Sequence, residues 1–166
     1  MKKNLAKNAN KSEPCLKLEK RKIKLSKLIV VIKGAGEMAS AVAWRMYMSN
    51  IRRILMLEVN SPLAVRRKVS FCEAVHEKRQ TVEGIEAIKV DDYESVRLAW
   101  AQEKIAVAVD PEWKMIDQVQ PNVVVDAILA KKNLGTHMGE AALVVGPCCR
   151  ILTNNAFTLG PQLSNG

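Results

Sequence analysis

With 166 residues, 48% of them apolar, the chain is long enough for one domain with a core of its own and short for a cofactor domain joined to a full substrate domain. A net charge of +9 would mark a nucleic-acid binder if it were spread evenly, but ten of the 26 Lys/Arg residues fall within residues 1–27, against Glu13 and Glu19 alone, and leave the remainder nearly neutral. That leader holds no aromatic residue to stack on a base and no apolar run of signal-peptide length, and no stretch of the chain approaches membrane-spanning length.

These features set the expectations for residues 1–27 and for the environment. The leader reads as a solvated, disordered extension. The protein is expected in the cytoplasm, with neither nucleic acid nor membrane as a partner, and a homo-oligomer is left open. Cys15, Cys72, Cys148 and Cys149 show no C-x-x-C spacing and there are no paired histidines, so neither a zinc site nor a disulfide framework is indicated. Cys72 reads as a small buried hydrophobe on a helix.

Leu28–Ile32 is a β-branched run, as expected for a strand buried on both faces of a parallel sheet. Lys33 joins it to Gly34-Ala35-Gly36-Glu37-Met38-Ala39, which fits G-x-G-x-x-[GA]. In such a turn Gly34 serves the tight bend, Gly36 lets a pyrophosphate approach the backbone, and Ala39 packs helix on strand. The anion then lies on free N–H groups at the positive end of a helix dipole. The helix that follows places Met38, Val42 and Met46 on one stripe. Glu37 suits the dipole, provided that its carboxylate points away from the phosphate. A second strand, Ile54–Val59, carries Glu58 where an acid accepts hydrogen bonds from a ribose.

Next, Pro62 suits a first helical position, with Ser61 or Asn60 as cap, and a helix is predicted to about Lys78. Arg66 and Arg67 fall where an arginine can meet a 2′-phosphate. Glu58 thus argues for NAD and the arginines allow NADP, while a solvated helix face would explain Arg66, Arg67 and Lys68 equally well. Val82–Val90 reads as a strand or as a hairpin turning at Gly84. Asp91 and Asp92 cap a helix from Tyr93 to about Lys104, with Tyr93, Val96, Ala99 and Trp100 on one face. Ile105–Val109 and Val123–Val125 are further buried strands, closed by Asp110 and Asp126. Both aspartates fall at the strand edge where open α/β sheets bind ligands, and both serve equally as caps. Leu143–Val145 is a last short strand. Lys131 and Lys132 face either an anion at that edge or solvent, and His76 and His137 lack partners for a triad or a metal. The pattern is α/β: a Rossmann-like, mostly parallel sheet with helices on both faces.

Four stretches, IKGAGEMAS at Ile32–Ser40, PLAVRRKVSFCEAV at Pro62–Val75, VEG at Val82–Gly84 and AKKNLGT at Ala130–Thr136, resemble the YqeB family in order and spacing over residues 28–146. The family is associated with selenium-dependent molybdenum hydroxylase systems. The resemblance implies an accessory protein for maturation or cofactor insertion, with the hydroxylase apoprotein as partner. It singles out Lys33, Gly34, Gly36, Ala39, Arg66, Arg67, Glu73, Lys131 and Asn133. Glu37 stands where the family carries an aspartate. After Gly146-Pro147 the pattern is lost, and residues 147–166 read as an atypical tail left by a truncation or a frame change.

The residues expected to bind a cofactor are Lys33, Gly34, Ala35, Gly36, Glu37, Met38, Ala39, Glu58, Arg66 and Arg67. The cofactor is NAD(P) or a molybdopterin nucleotide, whose pyrophosphate would use the same N–H cradle. Two other functions fit the turn: an NAD(P)-dependent oxidoreductase using Asp110, Asp126 or Lys131 in proton transfer, and a nucleotide-sensing scaffold domain without chemistry.

Overall fold

The computed structural model describes residues 24–146. The expectations for residues 1–23 and 147–166, with Cys15, Cys148 and Cys149, lie outside the described residues. Leu25–Lys27, assigned by sequence to the leader, form a 3-10 turn that leads into the first strand.

Seven strands form one sheet: β1 (Ile29–Lys33), β2 (Arg53–Glu58), β3 (Arg79–Val82), β4 (Ile85–Val90), β5 (Ile105–Val109), β6 (Val123–Asp126) and β7 (Leu143–Val145). Their spatial order is β3-β4-β5-β2-β1-β6-β7. All pairings are parallel except β3 with β4. The helices are α1 (Glu37–Met48), α2 (Glu73–Glu77), α3 (Tyr93–Ala101) and α4 (Lys114–Val119). The architecture is α/β and consistent with a Rossmann-like fold.

Strand alternation divides the core between the two faces. Val30, Ile32, Ile54 and Met56 pack with Ala39, Ala43 and Tyr47 of α1 and with Phe71. Val31, Leu55 and Leu57 pack with Val96 and Ala99 of α3 and with Ile116 and Val119 of α4. The apolar runs of β1 and β2 are therefore buried from both sides.

Local chemistry explains several boundaries. Asp92 caps α3 by accepting the Ser95 N–H at 2.7 Å, while its own N–H donates to Ser95 Oγ at 3.1 Å, a reciprocal capping box. The hairpin turns on Glu83 (φ 46°) and Gly84 (φ 80°), the left-handed pair that a two-residue turn requires. Its first strand begins at Arg79, ahead of the expected Val82. Helix α3 ends at Ala101, short of Lys104.

The expected helix from Pro62 to Lys78 does not form. Residues 59–66 carry no regular structure, Arg67–Val69 make a 3-10 turn, and only Glu73–Glu77 are α-helical. The cause is long-range: the Cys72 N–H donates to Ala35 O at 2.8 Å and the Phe71 N–H to Ser40 Oγ at 2.8 Å. These bonds hold the segment against the glycine turn and α1, and they override local helix propensity. Cys72 is buried as expected, at the start of α2, and that burial pushes its thiol up to about 11. Helix α4 has no counterpart in the predicted elements.

Candidate functional site

The carboxyl ends of β5, β2, β1 and β6 open on a cleft of about 1060 Å³. This is the edge at which open α/β sheets take ligands, and β1 lies at its centre, where the chain passes to either side. Gly34 turns the backbone out of β1 at φ 92°, and a Cβ there would stand 3.4 Å from Ile128 Cγ1. Gly36 is extended (φ −66°, ψ −173°) and precedes α1. A Cβ on it would meet nothing within 4 Å, so the backbone is open to the cleft at the residue expected to face a pyrophosphate. Ser40 is the first amide of α1 to reach a carbonyl, that of Gly36. The preceding N–H groups of the first turn remain available to an anion.

Glu58 lines the same cleft and is fixed by two backbone amides. Its Oε1 accepts the Ala35 N–H at 2.9 Å and its Oε2 accepts the Val59 N–H at 2.7 Å. Ala35 is buried, so its amide positions Glu58 and does not face a ligand. Glu37 is held by Arg66: Oε1 accepts the Arg66 N–H and Oε2 its Nε–H, each at 2.8 Å. The Arg66 amide, followed by its guanidinium, holds the Glu37 carboxyl below the usual carboxylate range. This pair straps the irregular 59–66 segment across the start of α1. Arg67 lies elsewhere, donating to Glu73 from Nε at 2.8 Å and Nη2 at 2.6 Å.

Of the ten expected cofactor residues, Gly34, Gly36, Glu37, Met38, Ala39, Glu58 and Arg66 line the cleft. Ala35 and Lys33 stand behind it, and Arg67 points toward α2. Lys33 has no exposed surface. Its Nζ donates to Thr136 Oγ1 at 3.0 Å and to Glu140 Oε1 at 2.7 Å, and lies 4.9 Å from the centroid of the Trp113 ring. The Thr136 hydroxyl donates to Asp126 Oδ2 at 2.8 Å, and Asp126 Oδ1 accepts the Ile128 N–H. Asp110 accepts the Met115 N–H at the start of α4. Both strand-end aspartates therefore act as local caps and anchors. Asn133 closes a turn through Gly135 and Thr136, and Lys131 and Lys132 are exposed. Among the described residues no group of His, Cys, Asp and Glu is placed to hold a metal ion, and no helix is long and apolar enough to cross a membrane.

Trp113 is among the cleft residues that motif reading missed. It follows Asp110-Pro111 at the carboxyl end of β5, and the strand-end rule that drew attention to Asp110 reaches it too.

No family model and no solved structure matches the chain. It is 38% identical over 149 residues to the uncharacterized protein YqeB of Escherichia coli K12, an alignment that takes in 83% of this chain. The chain spans 27% of the length of that curated relative. That similarity supports the YqeB family for this chain.

Proposed function

We propose that the chain binds a pyrophosphate-bearing nucleotide cofactor in the cleft at the glycine turn, and that it serves as an accessory protein for maturation or cofactor insertion of a selenium-dependent molybdenum hydroxylase. The observation that carries the binding reading is the open space before Gly36, next to the unpaired amides of α1. The hydroxylase role, with the apoprotein as partner, rests on the resemblance of the four sequence stretches to the YqeB family. The amides of the first turn of α1 would hold the pyrophosphate, and Glu58 would accept ribose hydroxyls. Glu58 favours NAD over NADP, because a 2′-phosphate would meet its carboxylate while Arg66 and Arg67 are engaged by Glu37 and Glu73. A molybdopterin nucleotide would present the same pyrophosphate to the same amides. For an oxidoreductase the support is weaker, since none of Asp110, Asp126 and Lys131 is among the residues that line the cleft, whereas Glu58 is.

Thermal unfolding with NAD+, NADP+, CTP and a pterin diphosphate tests the binding reading. A ligand at ~100 times its dissociation constant adds roughly 2.7 kcal/mol to the folded state. Gly36→Val should fold, because its φ suits any residue and its side chain enters open space, yet it should lose the shift. A panel without any shift, or a shift that survives in Gly36→Val, overturns the reading. In a host that makes such a hydroxylase, deleting the gene should leave the hydroxylase present and inactive; normal activity would remove the accessory role.

A further inference from the structure

The cleft continues on both sides of the glycine turn, since β1 lies between β2 and β6. After β2 it is lined by Val59, Pro62 and Leu63, and after β6 by Ile128, Leu129 and Leu134; Trp113, from the loop after β5, reaches the β6 side through its bond to Leu134. A mononucleotide with its phosphates on α1 would occupy one side. The other would stay empty and apolar, with Leu129 72% and Leu134 41% exposed.

Trp113 is held as a wall of that second side. Its Nε1–H donates to Leu134 O at 3.1 Å, the buried Lys33 ammonium lies over the ring, and a Cβ on Gly135 would stand 3.8 Å from Nε1. The indole N–H is therefore spent within the protein and one face of the ring meets Lys33, so what the residue offers a ligand is its other π face. A fixed indole in an apolar slot favours a flat ring that can stack on it, a cationic one included, over a saturated or strongly hydrated group. Building on the nucleotide reading above, we infer that Trp113 stacks on a second planar heteroaromatic ring, carried on the far side of the pyrophosphate from the Glu58-bound ribose. The ligand is then a two-ringed one, ending in nicotinamide or pterin, and Trp113 sets the preference for it.

NAD+ and ADP-ribose share adenosine, the second ribose and the pyrophosphate, and differ by the nicotinamide ring, so calorimetric titration of both against the full chain isolates this contact. NAD+ should bind roughly ten-fold tighter than ADP-ribose. Trp113→Ala should bring NAD+ to within about two-fold of ADP-ribose and leave ADP-ribose unchanged, while Trp113→Phe should keep most of the preference. Unchanged ADP-ribose binding also certifies that the variants are folded. A second arm compares a pterin diphosphate with inorganic pyrophosphate, and a Trp113-dependent preference there upholds the inference with pterin as the ring. Absence of a ring preference in both arms overturns it and leaves nucleotide binding standing. Equal weakening of NAD+ and ADP-ribose by Trp113→Ala also overturns it, because the residue is then only structural. If none of these ligands binds, the nucleotide reading fails and the inference falls with it.

Discussion

An ammonium at the end of β1 with no exposed surface, that of Lys33, is tolerable only through its surroundings. Glu140, Thr136 and the Trp113 ring supply them, and the Thr136 hydroxyl donates in turn to Asp126 Oδ2. The end of β1, the end of β6 and the loop through Thr136 are thereby tied together beneath one side of the cleft. Nothing near Lys33 in the chain announces this, since its partners lie 103 and 107 residues away; only the resemblance of IKGAGEMAS to a family drew attention to it. Lys33→Met would leave the Glu140 side chain, 6% exposed, with only the His137 ring 3.8 Å from Oε1 in place of the ammonium, and Glu140 Oε2 already has no partner among the described residues. Breaking a buried pair from one side costs about 3–5 kcal/mol, more than the pair contributes relative to an apolar replacement. Urea unfolding should show that loss in Lys33→Met and recover much of it in the double variant Lys33→Met/Glu140→Gln. A loss below about 1 kcal/mol would mean that the pair behaves as a solvated one.

Elements whose determinants are local were legible, and those fixed from a distance were not. Asp92 with Ser95 and Glu83 with Gly84 carry their capping and turn chemistry within four residues; Asp92 is the expected cap, and a hairpin turning at Gly84 is one of the two readings of Val82–Val90. The 59–78 stretch has helical residues and a proline at a plausible start, but Ala35 and Ser40 take the amides of Cys72 and Phe71. Helix α4 went unread for another reason. It is six residues long, and the left-handed positions that bound it are Trp113 and Gln120, where glycine would have signalled a boundary. The irregular 59–66 segment hangs on Glu37, whose carboxyl is held below its ordinary 4.5, first by the Arg66 amide. Because the folded value is the lower one, this contact is complete above the ordinary value and is lost as pH falls through the depressed one. The Arg66 amide resonance should therefore titrate with a midpoint below 4.5, and that titration should vanish in Glu37→Gln. A midpoint at or above the ordinary value would show that the strap is not formed in solution.

Across the molecule, alternating apolar strands and amphipathic segments made the parallel α/β sheet legible, and a glycine turn after its first strand located the cleft. The two-sided depth of the cleft was not, because Trp113 and Leu134 are 21 residues apart and meet only through the β5-to-β6 crossover. The burial of β2 on both faces has an energetic consequence. Neighbouring residues of one strand serve opposite cores, Leu55 with α3 and α4 and Met56 with α1, so neither face can lose its packing while β2 stays intact. Unfolding of residues 24–146 should therefore be a single cooperative transition. Trp44 packs on the α1 face and Trp100 on the α3 face, which gives each core a fluorescent reporter. With Trp113→Phe as background, Trp44→Phe and Trp100→Phe each leave one reporter, and the two denaturation curves should coincide in midpoint and slope. Leu55→Ala and Met56→Ala should each lower that one midpoint by an amount equivalent to about 2–5 kcal/mol. Separate midpoints for the two reporters, or a Leu55→Ala effect seen by Trp100 and not by Trp44, would mean that the faces unfold independently and that β2 does not couple them.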